Sequence, residues 1–302
     1  APRREIQDEI LAPKGLEPAQ YDDYGTMLDE CELDGVSLIV PHALHFSMCR
    51  QALEAGVNVL VEKPMVTESG HADQLADIVR ETGRHLHVSF QGPHSSAQQT
   101  ARRLIRDGAI GDIIAVRAFL DQAWLNLIRH HPQKKWRLDK KIAGGGQLYD
   151  SGSHLINGLL WTTELTPARV YAEIELRDQT VDINSGVTIR FDTGAVGTVT
   201  VLGESGRAGM RSELVITGAE GEIVLPQGAH GGADPVLYGL DGELEYDPVP
   251  AVTPQQHFVD VLHGKAETLC GPLWGRRLAH FMDALYASAE NGAPETITDW
   301  PA

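Results

Sequence analysis

Asp150 and His154 stand four residues apart, directly after Gly144-Gly145-Gly146 and just before Leu155, Ile156, Leu159, Leu160 and Trp161. That apolar spacing predicts a helix beginning near Leu148. It would set the carboxylate and the imidazole one turn apart on a single face. The carboxylate would then lie in the first turn, where the helix dipole favours negative charge. An imidazole with an ordinary pKa near ~6.5 suits proton transfer at neutral pH, and a neighbouring carboxylate can orient it or share its substrate. The three glycines would let another molecule approach the backbone closely. On spacing alone, the same residues also describe an ordinary glycine-rich loop and a helix with a solvated Asp and His. A second chemically suggestive group, Glu62-Lys63-Pro64, closes an apolar run.

The elements that must position these groups fall into two halves. Residues 3–11 read as a helix ended by Gly15, residues 19–21 as a very short strand, and residues 24–32 as a second helix. Residues 35–40, 57–61 and 86–90 are apolar runs typical of strands covered on both faces. Helices over residues 45–55 and 69–82 alternate with them, which indicates parallel crossover units. Ligands bind outside the carboxyl ends of such strands, where Pro41-His42-Ala43-Leu44-His45 and Glu62-Lys63-Pro64 both sit. After Gly92 the rhythm changes. A helix over residues 97–106 and a strand over 113–119 lead into a long polar loop, 121–146, carrying Trp124, His130, His131, Trp136 and Arg137. Loops of that length are usually functional or disordered. Residues 169–225 read as successive antiparallel strands, 228–242 as a glycine-rich loop, and 254–263 and 274–290 as closing helices. A cleft between the halves would bring Lys63, the glycine loop and Asp150/His154 together.

The chain has 302 residues and a formal net charge of −17, with no basic run longer than Arg102-Arg103 or Lys134-Lys135, which argues against nucleic acid as a partner. The three cysteines, Cys31, Cys49 and Cys270, are scattered, so neither a zinc motif nor a disulfide framework is indicated and a reducing cytoplasm fits best. No apolar run approaches the ~20 residues that cross a bilayer, so no membrane association is expected. His130-His131 reads as a loop pair rather than a metal site. Trp124 is either a substrate-stacking ring or loop packing. Gln91 and His94 follow a strand end and could reach the cleft. His257, His263 and His280 read as helix-surface or core residues.

Four segments together resemble the glucose-fructose oxidoreductase / inositol dehydrogenase / MocA family of nicotinamide-dependent sugar oxidoreductases. They are the Pro41–His45 turn, the run from Ala52 to Pro64, the run from Leu104 to Ile113, and Trp136-Arg137-Leu138-Asp139 leading into the glycines and Asp150-x-x-x-His154. The resemblance implies an α/β fold: a Rossmann-type dinucleotide-binding domain over residues 1–92, then an α/β domain over 93–302 with a large, mostly antiparallel open sheet. It implies NAD or NADP as cofactor and a small-molecule sugar or cyclitol as substrate. It also implies a homodimer or homotetramer formed through the open sheet. Lys63 would be the catalytic lysine, His154 the general acid/base and Asp150 its partner or a substrate ligand. Pro41, His42, His45, Glu62, Lys63 and Gln91 would line the cofactor. Trp136 and Arg137 would lie near the nicotinamide or the sugar, with Trp124 as a further sugar contact. The lysine-proline bond is expected to be cis. Alternatives on the same scaffold are a member that holds and recycles its cofactor, including an NAD-dependent glycosidase, and a non-enzymatic sensor.

One departure from the family pattern is large. The opening strand, the G-x-G-x-x-G turn, the first helix and the second strand are missing from the sequence. Strands lie ~4.8 Å apart, so removing two adjacent strands from the order 3-2-1-4-5-6 would leave the survivors about 14 Å apart with backbone groups unpaired. The expectation is therefore that further residues precede Ala1. The residue that discriminates NAD from NADP would lie in that part.

Overall fold

The computed structural model describes residues 7–226 and 232–302. The chain divides into two units, Ala1–Leu33 and Asp34–Ala302. In the first, a π-helical turn (Gln7–Leu11) runs into a 3-10 turn (Ala12–Lys14), closed by Gly15 in the left-handed region at φ 71°. Of the helix expected over residues 3–11, residues 3–6 lie outside the described part. Helix α1 (Tyr24–Glu30) starts at Asp23, whose carboxylate accepts from the Thr26 N–H at 2.8 Å. Residues 19–21 form no strand, which corrects the expectation for that segment. Three residues cannot hold a strand unless a ladder partner takes up their backbone groups.

The second unit begins with three parallel strands in the order β1-β2-β3: Gly35–Leu38, Asn58–Val61 and Leu86–Val88. Helix α2 (His45–Glu54) buries His45, Cys49, Ala52 and Leu53, an i, i+4, i+7, i+8 stripe that packs on β2. Helix α3 (Ser69–Thr82) returns the chain to β3 and ends at Gly83, left-handed at φ 65°. Each strand thus delivers its carboxyl end to one edge of the sheet.

Helix α4 (Ser96–Arg106) is capped by the Ser95 hydroxyl, which accepts from the Gln98 N–H. Strand β4 (Ile113–Gln122) then enters a nine-stranded sheet. With β5 (Pro167–Glu175), β6 (Asn184–Phe191), β7 (Val196–Leu202), β8 (Met210–Gly218), β9 (Gly221–Pro226), β10 (Val236–Gly239), β11 (Gly242–Leu244) and β12 (Glu295–Thr296), its order is β11-β10-β9-β8-β4-β7-β6-β5-β12. All neighbours are antiparallel except β4 and β7. Strand β7 alternates strictly, with Val199 and Val201 buried and Thr198, Thr200 and Leu202 outward, so one face is core and the other open.

Two expected loops carry regular structure. Residues 121–146 hold α5 (Trp124–His130), a 3-10 segment (Pro132–Leu138) and α6 (Lys140–Ala143). Trp124, Leu125 and Ile128 share one helical face and pack on Val181 and Ile183, so apolar burial orders this stretch despite its polar composition. In residues 228–242, β10 buries Leu237 between β9 and β11, while residues 227–231 lie outside the described part. Helix α7 (Gln147–Asp150) and helix α8 (Gly152–Thr163) follow the glycines. All twelve residues of α8 are buried, against α4, β4 and β8. Helices α9 (Pro254–Leu262) and α10 (Pro272–Asn291) close the fold, and α10 bridges α3 and β5. Among the described residues, no helix is long and apolar enough to cross a membrane.

Candidate active site

Lys63 extends from the carboxyl end of β2 and donates two hydrogen bonds to one residue. Its Nζ lies 2.9 Å from the Asp150 backbone carbonyl and 2.9 Å from Asp150 Oδ1. The helix expected from Leu148 onward makes this geometry by breaking. Residues 147–150 form one turn, Ser151 interrupts it, and the His154 N–H turns to the Ser151 carbonyl at 3.2 Å. The Asp150 carbonyl, released from helical bonding, accepts from Lys63 and from the Ser153 hydroxyl at 2.8 Å. A cation at the carboxyl end of a helical turn is also favoured by its dipole. Ser151 keeps αR backbone angles, so Asp150 and His154 lie on two helical segments joined by one shifted hydrogen bond.

The second Asp150 oxygen, Oδ2, accepts from Trp124 Nε1 and Arg137 Nε, both at 2.9 Å. Burial alone would raise this carboxyl's pKa, but the Lys63 and Arg137 charges and the bonds from Lys63 and Trp124 hold it well below the ordinary carboxylate range. Asp150 is thus a permanent anion that fixes one lysine, one arginine and one indole. The Lys63–Asp150 side chains are only 13% and 11% exposed, and the Lys63-Pro64 bond is cis, as expected.

The residues expected to line the cofactor divide into two groups. Pro41, Glu62 and Gln91 sit at the three strand ends with surface open to solvent, beside the exposed Ile39 and Leu44. His45 does not line an open surface, which corrects that expectation. Its ring is fully enclosed, with Nδ1 2.7 Å from the Pro64 carbonyl and Nε2 3.0 Å from the Val40 carbonyl, and burial lowers its pKa. It lies between the end of β1 and the turn after β2, and its one N–H serves one of the two carbonyls. His42 is also buried. Its Nδ1–H donates to the Ala143 carbonyl at 2.8 Å, and burial lowers its pKa to about 4, so it is neutral at physiological pH. Its ring meets Trp136 edge-on, with centroids 4.9 Å apart, and the Arg137 guanidinium covers the Trp136 face at 4.4 Å. The series His42, Trp136, Arg137, Asp150, Lys63 therefore runs unbroken from β1 back to β2. Trp124 is likewise corrected: its ring is 1% exposed within the cluster of Leu125, Ile128, Val181 and Ile183, so it serves Asp150 rather than a sugar face. His154 is buried, edge-on to Phe90 just beyond β3, with centroids 6.0 Å apart.

The glycines do not leave the backbone open to a ligand. A side chain on Gly145 would strike the Tyr286 hydroxyl, and one on Gly146 the Asp182 backbone. Asp182 is the residue that sequence reasoning missed. Its carboxylate accepts from the Gly146 and Leu148 N–H groups, each at 2.6 Å, and from the Tyr286 hydroxyl at 2.5 Å. Burial pushes this carboxyl's pKa up in spite of those donors. The available signal was an acid between two apolar residues, Val181 and Ile183, at the entry to β6. Gln122 at the end of β4 accepts from Gln147 Nε2 at 3.2 Å and from the Ser151 hydroxyl at 3.1 Å, which holds α7 from the opposite side.

A parallel sheet with a lysine at a strand end, locked to an aspartate on a helix that packs on a nine-stranded mixed sheet, is a layout shared with Rossmann-type oxidoreductases. Residues 5–90 match the model of the oxidoreductase family with an NAD-binding Rossmann fold, and residues 98–224 match the GFO/IDH/MocA C-terminal domain. The chain belongs to the GFO/IDH/MocA family. Levoglucosan dehydrogenase of Pseudarthrobacter phenanthrenivorans is 27% identical over 227 residues, which are 67% of this chain and 58% of that protein. D-glucoside 3-dehydrogenase of Escherichia coli is 28% identical over 51% of this chain and 43% of its own length. The chain thus spans less than two thirds of these curated relatives. A solved levoglucosan dehydrogenase complex with NADH and levoglucosan superposes with a TM-score of 0.82 at 23% identity, covering 97% of this chain and 88% of that one. The aldose-aldose oxidoreductase from Caulobacter crescentus, complexed with glycerol, gives 0.82 at 21% identity, again covering 97% and 88%.

Proposed function

We propose that this protein is an NAD(P)-dependent oxidoreductase that interconverts a secondary alcohol and a ketone on a sugar, a sugar derivative or a cyclitol. The observation that carries the reading is the pair of hydrogen bonds from Lys63 to Asp150. It uses two of the three N–H donors of the ammonium and leaves a third for a substrate oxygen beside the strand ends. The open surface of Pro41, Ile39, Leu44, Glu62 and Gln91 at those ends fits a dinucleotide. The nicotinamide, when bound, exchanges a hydride with the substrate carbon. Lys63 holds the substrate oxygen and stabilises its negative charge. His154 takes the hydroxyl proton as the carbon is oxidised and returns it in the reverse direction. Asp150 fixes Lys63 and Arg137 and stays ionised throughout. In this reading residues up to about 92 serve the cofactor, and residues 93–302 serve the substrate and assembly. The names of the relatives, which include sugar dehydrogenases, support the substrate class.

The test is a spectrophotometric screen of aldoses, anhydrosugars, glycosides and inositols with NAD and with NADP, in wild type and His154→Gln. Reduction of added cofactor by one substrate is expected, with kcat about 10²-fold or more lower in the variant. Bound cofactor that never exchanges would overturn this reading in favour of the recycling alternative. Cofactor bound by the chain with its preceding residues restored, but no turnover of any substrate, would favour a sensor.

Assembly belongs to the same proposal. The open sheet face presents Thr198, Thr200 and the exposed Val196 and Leu202, an apolar-polar mixture suited to a second copy. Sedimentation should give a dimer or tetramer at micromolar concentration; a monomer there would contradict it.

A further inference from the structure

We propose that His87, His94 and His257 form a binding site for one divalent transition-metal ion, with zinc the best fit. The three imidazoles come from β3, from the turn that follows it and from α9. The Lys63–Asp150 site does not use them. All three are buried, and one ligand atom from each lies within 4.8 Å of the other two. The rings form a nearly equilateral triangle. Centroids are 5.0 Å apart for His87 and His94, 5.2 Å for His94 and His257, and 5.4 Å for His87 and His257. Three imidazoles bound at ~2.05 Å to one tetrahedral ion hold their centroids about 5 Å apart.

The hydrogen bonds place a lone pair on the inward nitrogen of His94 and, on that of His87, a proton that a metal ion would displace. His94 Nδ1–H donates to the Phe90 carbonyl at 2.7 Å, so its Nε2 carries a lone pair. His87 Nε2 faces that atom at 3.0 Å, and His87 Nδ1 meets the Thr268 hydroxyl at 2.9 Å. A carbonyl behind one ring and a hydroxyl behind another are the outer partners that orient metal-bound histidines. His257 Nε2 accepts only a long 3.3 Å bond from the Leu269 N–H, which a cation can replace. A single proton between His87 and His94 satisfies two rings; an ion satisfies three. The ligand set is nitrogen only. It suits zinc, cobalt, nickel or copper and excludes calcium and magnesium, which need oxygen. A water would complete the tetrahedron. The ion would bolt the last strand of the parallel sheet to the C-terminal helices, elements far apart in sequence.

The experiment uses untagged protein, stripped by a chelator and verified metal-free by elemental analysis. Titration with Zn²⁺ should show one equivalent bound and a rise in melting temperature. Co²⁺ should give the intense visible bands of a tetrahedral site. His94→Gln should abolish uptake, whereas the double variant His130→Ala, His131→Ala should still bind one equivalent. Uptake well below one equivalent, an unchanged melting temperature, an octahedral cobalt spectrum, or binding that survives His94→Gln would each overturn the proposal. If His94→Gln does not fold, His257→Gln takes its place, and the wild-type cobalt spectrum decides without any variant.

Discussion

Replacing Lys63 with methionine is expected to lower kcat by about 10³-fold while the protein stays folded. Methionine has nearly the length of lysine and removes only the ammonium. What it takes away is a donor aimed at the substrate oxygen, whose charge grows only as the reaction proceeds. The loss should therefore appear in kcat more than in KM. The fold survives because Asp150 keeps its bonds from Trp124 Nε1 and Arg137 Nε. Lys63→Arg should not restore the rate. A guanidinium Nη carries two N–H groups, so donating to both the Asp150 carbonyl and Oδ1, as the lysine nitrogen does, leaves that atom no donor for the substrate oxygen. Steady-state kinetics with the substrate found in the screen, together with circular dichroism of each variant, make the measurement. A Lys63→Met enzyme with kcat within about threefold of wild type would remove Lys63 from the mechanism.

The parallel half was readable because burial on two faces leaves a plain mark: short apolar runs such as Val59-Leu60-Val61 between helices with an apolar stripe. The strands of the second sheet were readable from alternation, as in Val187-Thr188-Ile189-Arg190-Phe191. What failed was the region 121–146. Its composition is polar, and its order comes from Trp124, Leu125 and Ile128 docking on Val181 and Ile183, residues distant in sequence. A window that sees only neighbours cannot register such a contact. Residues 19–21 failed for the opposite reason: local β preference carries no ladder by itself.

At the site, residue types were legible and partnerships were not. Lys63, Asp150 and Arg137 could be named from the sequence, but not that the lysine would bind both the carbonyl and the carboxylate of Asp150. That depends on the break at Ser151, which no glycine or proline announces. Helical periodicity favoured one helix through 148–161, and the tertiary bond from Lys63 won. The glycines were misread in kind. Their backbones are needed not for a ligand but for Tyr286 and Asp182, which come close enough to exclude any side chain. His42 and His45 were recognised as important, but their carbonyl neighbours, Ala143 for His42 and Pro64 and Val40 for His45, are set by packing that local sequence does not show.

Asp150→Ala is expected to cost about 3 kcal/mol of stability, near the lower end for breaking a buried ion pair because Lys63 and Arg137 keep some access to water. For a unit of this size that is a fall in melting temperature of about 6–12 °C. Asp150→Asn should cost nearly as much. Its amide keeps one acceptor oxygen but turns an NH2 donor toward either the Lys63 ammonium or the Trp124 and Arg137 donors. The two proteins should also differ in acid. The folded-state pKa of Asp150 is lowered, so its contribution is fully present above the ordinary carboxylate range and is lost as pH falls below it. The stability gap between wild type and Asp150→Asn should therefore be widest near neutrality and narrow as pH falls from about 5 toward 3. Urea unfolding across that range measures it directly. A gap that stays constant with pH would mean that Asp150 owes its place to shape rather than to charge, and that Lys63 is held by something other than its carboxylate.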